Sequence, residues 1–137
     1  MINSRDPAEL LPRTRVKWEK LSSECKSVGI DLILTSTHRD KESQDALYAQ
    51  GRSKPGPRVT NVPGNYSFHQ WRVAFDVVPI ITGKAIWDDQ ALWAQIGAIG
   101  TRCGLEWGGA WEKWKDKPHF QDLNGFTIDD YINGVAT

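Results

Sequence analysis

The 137-residue chain has no apolar run approaching the roughly 20 residues that cross a bilayer, so no stable membrane insertion is expected. It has no excess of either charge. Lys plus Arg is 17 and Asp plus Glu is 17, a formal net charge of zero, which counts against the basic face of a nucleic-acid binder. Cysteine is scarce: Cys25 and Cys103 lie far apart and form no C-x-x-C pair. The first residues lack the positive-then-apolar order of a secretory signal, so synthesis in a cytoplasm and free, packed thiols are expected. No internal repeat, low-complexity run or long linker occurs, so residues 1–137 are expected to form one domain.

What is present reads as short alternating elements. Trp18, Leu21, Cys25 and Val28 recur at steps of three and four, one face of a helix from Pro12 to Val28 that Gly29 ends. Ile30 to Thr35 reads as a buried strand, and Lys41 to Gln50 as a short helix closed by Gly51. The Pro- and Gly-rich stretch from Arg52 to Asn65 holds little regular structure, and a loop of that length in a small domain points to function. Arg72 to Ile80 reads as a strand ended by Pro79. A helix capped by Asp88 or Asp89 runs to Cys103, with Gly104 stopping it. Leu105–Trp107 and His119–Gln121 read as short strands, and Thr127 to Asp130 has capping-box spacing. Without a strict βαβ rhythm, the expected class is α+β, a small, mainly antiparallel sheet flanked by helices.

One residue breaks the pattern. Asp76 sits among Phe75, Val77 and Val78, where an unpaired buried carboxylate would cost several kcal/mol. Either it lies on the open face of an edge strand, or a cation or metal neutralises it. His69 precedes it by seven residues, which in a straight strand of ~3.3 Å per residue would put the two roughly 23 Å apart. To share an ion, the chain must bend between His69 and Val73. His119 supplies a second imidazole, and two His with one carboxylate form a three-ligand zinc set that leaves a position for water. Asp116, three residues upstream, has the place of a general base. A His38/His69/His119 set is an alternative that leaves Asp76 unexplained, and Glu106 and Glu112 are rival bases.

The order of these motifs resembles a known family. Ser67, His69, Ala74 and Asp76 follow S-x-H-x-x-x-x-A-x-D, and Trp107–Trp111 (W-G-G-A-W) and Asp116–Phe120 (D-K-P-H-F) come some forty residues later. Upstream, Thr35–Asp40, Gln44, Leu47–Tyr48 and Gln50–Arg52 are similar to the block S-G-x-R…Q…L-Y-x-Q-G-R. Together they resemble the M15 zinc peptidases, the D-alanyl-D-alanine carboxypeptidases and L-alanyl-D-glutamate endopeptidases of bacterial walls and phage endolysins. The resemblance implies a Hedgehog/DD-peptidase-like fold and a zinc ion held by His69, Asp76 and His119. It also implies that Asp116 is the catalytic carboxylate, that Arg39 binds substrate and steadies the oxyanion, and that Ser67 lies near the substrate.

The expected activity is hydrolysis of the L-alanyl-D-glutamate bond in peptidoglycan stem peptides by a monomeric catalytic domain without a separate wall-binding module. The type is that of a phage or prophage endolysin released through a holin pore to act at the wall. D-alanyl-D-alanine carboxypeptidase or dipeptidase activity and a non-catalytic zinc- or wall-binding module are the competing readings. Three positions depart from the family pattern: Thr37 and Arg72 stand where Gly is usual, and Ala110 where Asp is usual. Arg72 would bring a bulky cation close to the metal. Of seven Trp, Trp71, Trp107, Trp111 and Trp114 cluster around the motifs as candidate groove walls, while Trp18, Trp87 and Trp93 fit packing roles.

Overall fold

A computed structural model describes residues 1–136. In chain order the elements are α1 (Pro12–Ser27), β1 (Asp31–Ser36), α2 (Lys41–Ala49), β2 (Ala74–Ile81), β3 (Lys84–Ala85), α3 (Gln90–Arg102), β4 (Glu106–Trp107), β5 (His119–Gln121) and α4 (Ile128–Ile132). Short 3-10 turns cover Pro7–Glu9 and Gly108–Ala110. The strands form one antiparallel sheet in the order β1-β2-β5-β4, with β3 paired to the far end of β2.

Capping follows the expected chemistry. The Asp40 carboxylate accepts from Ser43 N at the start of α2, and Asp89 accepts from Leu92 N at the start of α3. Thr127 and Asp130 exchange bonds as a capping box before α4. Gly104, with φ +87°, turns the chain out of α3.

Helices α1 and α3 cover one face of the sheet. Trp18, Leu21 and Cys25 from α1 and Trp93, Ile96 and Ile99 from α3 pack with Leu34, Phe75, Val77 and Phe120 from the strands. The Phe75 ring meets Trp18 edge-on at 5.6 Å and stacks on Phe120 at 5.9 Å. Removing the Phe75 ring would cost about 3–5 kcal/mol. At Gly100 an added Cβ would lie 2.3 Å from the Phe120 ring, so this helix glycine lets α3 sit directly on β5.

Strand alternation then accounts for Asp76. Phe75 and Val77 point into the core, so Asp76 between them points to the opposite face. In the β2–β5 register Phe75 pairs with Phe120 and Asp76 with His119, which places His119 on that same face.

The expected strand boundaries need two corrections. Pro79 does not end β2, which continues to Ile81. The Pro79 carbonyl accepts from Ile86 N at 2.9 Å, so the missing N–H lies on the side where β5 has already ended. At the other end β2 begins at Ala74, because Arg72 is left-handed with φ +65°. That residue and the turn before it bend the chain between His69 and Val73.

Candidate active site

His69 is carried by the turn before β2. The Ser67 hydroxyl accepts from His69 N at 3.2 Å, and the His69 carbonyl accepts from Arg39 N at 3.2 Å. Its Nδ1 lies 2.9 Å from the Thr37 carbonyl oxygen. A carbonyl can only accept, so Nδ1 carries the proton and Nε2 presents a lone pair. That Nε2 is 3.4 Å from Asp76 Oδ1, and His119 Nδ1 is 3.2 Å from the same oxygen.

One ligand atom from each of His69, Asp76 and His119 lies within 4.8 Å of the others. Two donors ~2.0–2.1 Å from a tetrahedral ion stand about 3.3 Å apart, so the two spacings around Asp76 suit a single zinc. Burial opposes the charge on Asp76, but the two imidazoles outweigh it and hold the carboxyl well below the usual carboxylate range. Burial likewise opposes charging of His119, while its hydrogen bond to Asp76 pushes its pKa above the ordinary value. Two imidazoles around one carboxylate are the donor set of a hydrolytic zinc, and the side chains present fit that ion.

Arg39 leaves β1 on the loop before α2. Its Nη1 donates to Gln44 Oε1 at 2.8 Å and its Nη2 to the Ser36 hydroxyl at 3.1 Å, with Asp76 Oδ2 at 4.0 Å. Its Nε is buried without a partner among the described residues. Gln44, fully buried, in turn donates to the Thr60 hydroxyl at 3.0 Å and the Val62 carbonyl at 2.7 Å. The long loop is therefore tied to the arginine through one amide side chain.

Asp116 sits on the loop between β4 and β5. Its backbone N–H donates to the Gly108 carbonyl at 3.0 Å, and its own carbonyl accepts from His119 N at 3.1 Å. Burial of the carboxyl against the site raises its pKa, and the negative charge of Asp76 adds to the effect.

These groups open onto one cavity of about 1050 Å³, lined by Arg39, Ser67, His69, Asp76, Asp116 and His119 together. Residues Arg58 to Val62 of the long loop form part of the wall, with Trp87, Trp111 and Trp114.

Several expectations change. His38 is buried but lies outside the three-donor cluster, its Nδ1 facing the His69 carbonyl at 3.3 Å. Arg72 does not crowd the site, because its guanidinium is paired with Glu9. Its positive φ shows why glycine suits this position. Thr37 has no such requirement: it is absent from the positive-φ residues and is fully buried. Trp71 stacks on Tyr131, and Trp107 donates from its indole N–H to the Lys117 carbonyl, so neither is groove wall; Trp87, expected in packing, is. Neither rival base lines the cavity: Glu106 accepts from Gln121 and Trp111, and Glu112 is exposed.

A contact made by the first residues went unforeseen. Ser4 N donates to the His38 carbonyl at 2.8 Å, Thr37 N to the Ser4 carbonyl at 2.7 Å and Asp40 N to the Ile2 carbonyl at 2.9 Å. This short pairing braces the loop that carries Arg39. It uses backbone groups, so no side-chain pattern announces it.

Residues 60–122 match a family model described as D-alanyl-D-alanine carboxypeptidase, of the M15 peptidases. Over 124 residues the chain is 33% identical to the peptidoglycan L-alanyl-D-glutamate endopeptidase CwlK of Bacillus subtilis (strain 168), spanning 84% of this chain and 74% of that protein. It is 30% identical over 134 residues to the L-alanyl-D-glutamate peptidase of Listeria phage A118, covering 94% of this chain and 44% of the phage protein. The backbone is similar to the L-Ala D-Glu endopeptidase ChiX of Serratia marcescens, with a TM-score of 0.67 and 22% identity over 95% of this chain and 92% of that one. It also resembles the vancomycin-resistance D,D-pentapeptidase VanY solved with Zn(II), with a TM-score of 0.62 and 16% identity over 90% and 84% of the two chains. The last two likenesses speak to the fold. The identity to CwlK, and a family match that runs through the stretch carrying both imidazoles and the carboxylate, show that the chain belongs to the M15 family of zinc peptidases.

Proposed function

We propose that the protein hydrolyses the L-alanyl-D-glutamate bond of peptidoglycan stem peptides, using zinc held by His69 Nε2, the Asp76 carboxylate and His119 Nδ1. The observation that carries this reading is the meeting of those three donors with Asp116 and Arg39 on one cavity. The bond assignment is supported by the names of the two relatives that share about a third of their aligned residues with this chain.

Zinc bound there supplies Lewis acidity, which acidifies water and polarises a peptide carbonyl. The remaining work falls to the chain's own groups. The Asp116 carboxylate accepts a proton from the attacking water and returns it to the leaving amine nitrogen as the C–N bond breaks. Its raised pKa brings both transfers closer to balance near neutral pH. Arg39 stays cationic despite burial and stabilises negative charge developing on the carbonyl oxygen. The hydrogen bonds from Gln44 and Ser36 hold its guanidinium in place before substrate arrives. Ser67 serves two ends, fixing the turn under His69 and lining the cavity wall.

The protein acts as a monomer at the cell wall, in the manner of an endolysin delivered through a phage-encoded pore. Mass spectrometry of purified sacculi digested by zinc-loaded protein tests the bond assignment. New N-terminal D-glutamate on the products is the expected result. Released D-alanine would instead make it a carboxypeptidase, and no product would make it a binding module.

A further inference from the structure

We infer that Gln121 and Glu106 are positioning residues that decide which nitrogen His119 offers to the metal. The inference rests on the zinc reading above. Gln121 follows His119 by two residues in β5, so both point to the same face, and Glu106 of β4 is the cross-strand partner of Gln121. Gln121 is 5% exposed and bridges the other two side chains. Its Nε2 lies 2.6 Å from Glu106 Oε2, and its Oε1 lies 2.7 Å from His119 Nε2.

The chemistry of each group orders the row. A carboxylate accepts only, so Glu106 takes a hydrogen bond from the amide NH₂ of Gln121. The amide oxygen is then the end left for His119, and an oxygen there requires Nε2 to carry the hydrogen. With the hydrogen on Nε2, Nδ1 on the Asp76 side is the nitrogen free to give its lone pair to a metal, and without one it can carry a hydrogen of its own and donate it to Asp76. Trp111 closes the arrangement: its indole N–H donates to Glu106 Oε1 at 3.3 Å, and its ring lies 5.4 Å from the imidazole of His119. One cavity-wall tryptophan both packs on the ligand and pins the carboxylate that orients it.

Without the Glu106 charge the Gln121 amide can turn over and donate to Nε2, which favours the tautomer protonated at Nδ1. That tautomer cannot use Nδ1 as a ligand. Hydrogen-bonding partners behind a metal-ligating histidine typically change metal affinity by ~10–100-fold.

The test is zinc affinity by competition with a chromophoric chelator, with the visible spectrum of the cobalt-substituted protein as a second readout. The variants are Gln121→Met, Glu106→Ala, their double and the exchange Glu106→Gln/Gln121→Glu. Gln121→Met is expected to lose ~10–100-fold in affinity and to change the cobalt spectrum. Glu106→Ala should weaken binding in the parent and add nothing once Gln121 is Met. The exchange rebuilds an acceptor for His119 and a donor behind it, so it should recover most of the loss. Equal penalties for Glu106→Ala in both backgrounds, or full affinity in Gln121→Met, would overturn the inference. Should Gln121→Met fail to fold, the single Gln121→Glu against the exchange decides the same point. Zinc uptake by the parent separates the two readings: a parent that takes up no zinc fails the site reading, whereas a parent that binds zinc while Gln121→Met keeps its full affinity fails the inference.

Discussion

The carbonyl of Gly108 accepts the backbone N–H of Asp116 at 3.0 Å, and a Cβ at Gly108 would lie 2.4 Å from the Asp116 carbonyl oxygen. The Trp-Gly-Gly turn is therefore pressed onto the backbone that carries the proposed base. That oxygen is backbone and cannot rotate away as a flexible side-chain end would. Gly108→Ala should shift Asp116 and lower kcat by about 10²-fold, the scale on which small misplacements act. Zinc analysis of the same variant should still show one equivalent. Unchanged kcat would mean that the position of Asp116 does not matter.

Asp116→Asn keeps the shape of the side chain and removes its capacity to take a proton. Steady-state kinetics on a defined muropeptide should show kcat reduced by ~10²–10⁴-fold, with zinc stoichiometry unchanged. A variant that turns over at the parental rate would return the role of base to another group.

Much of the site was legible in the sequence because strand periodicity and donor chemistry are local rules. An acid between Phe75 and Val77 signals a second, polar sheet face, and His119 falls on that face through the β2–β5 register. The bend that brings His69 back to Asp76 was required by distance and is made by a left-handed Arg72, a residue with no intrinsic preference for that conformation. Less legible were features made by long-range pairing. The brace formed by Ile2 and Ser4 depends on backbone groups, and the Glu106–Gln121 bond on a register between two very short strands. The roles of Trp71, Trp87 and Trp107 likewise depended on which sheet face and loop each indole meets. Composition alone does not specify that.

Trp114 is 71% exposed at the cavity rim and has φ +57°, a conformation that costs a non-glycine residue of order 1 kcal/mol. An exposed, strained aromatic at a binding cleft points to contact with substrate. Trp114→Gly should melt no lower than the parent in thermal denaturation while raising KM on sacculi. A lower melting temperature with unchanged KM would give the ring a structural role instead.

Cys25 is fully buried, and burial pushes its thiol up to about 11, with Cys103 adding to the shift. The Cys103 thiol is also raised, first by burial and then by its hydrogen bond to Glu24. Neither should react with iodoacetamide in native protein at pH 8. The sign of the pH effect follows from the raised values. The unfolded chain loses its thiol protons first, so this contribution to stability is complete below about pH 9 and falls away as pH rises toward 11. Denaturant midpoints that fall more steeply above pH 9 in the parent than in Cys25→Ala would bear this out, and parallel curves would not.

Anomalous diffraction at the zinc edge from crystals of the zinc-loaded protein addresses the central claim without passing through activity. One peak is predicted, ~2.0–2.2 Å from His69 Nε2, an Asp76 carboxylate oxygen and His119 Nδ1. A peak bound by other side chains, or none at those three, would contradict the account.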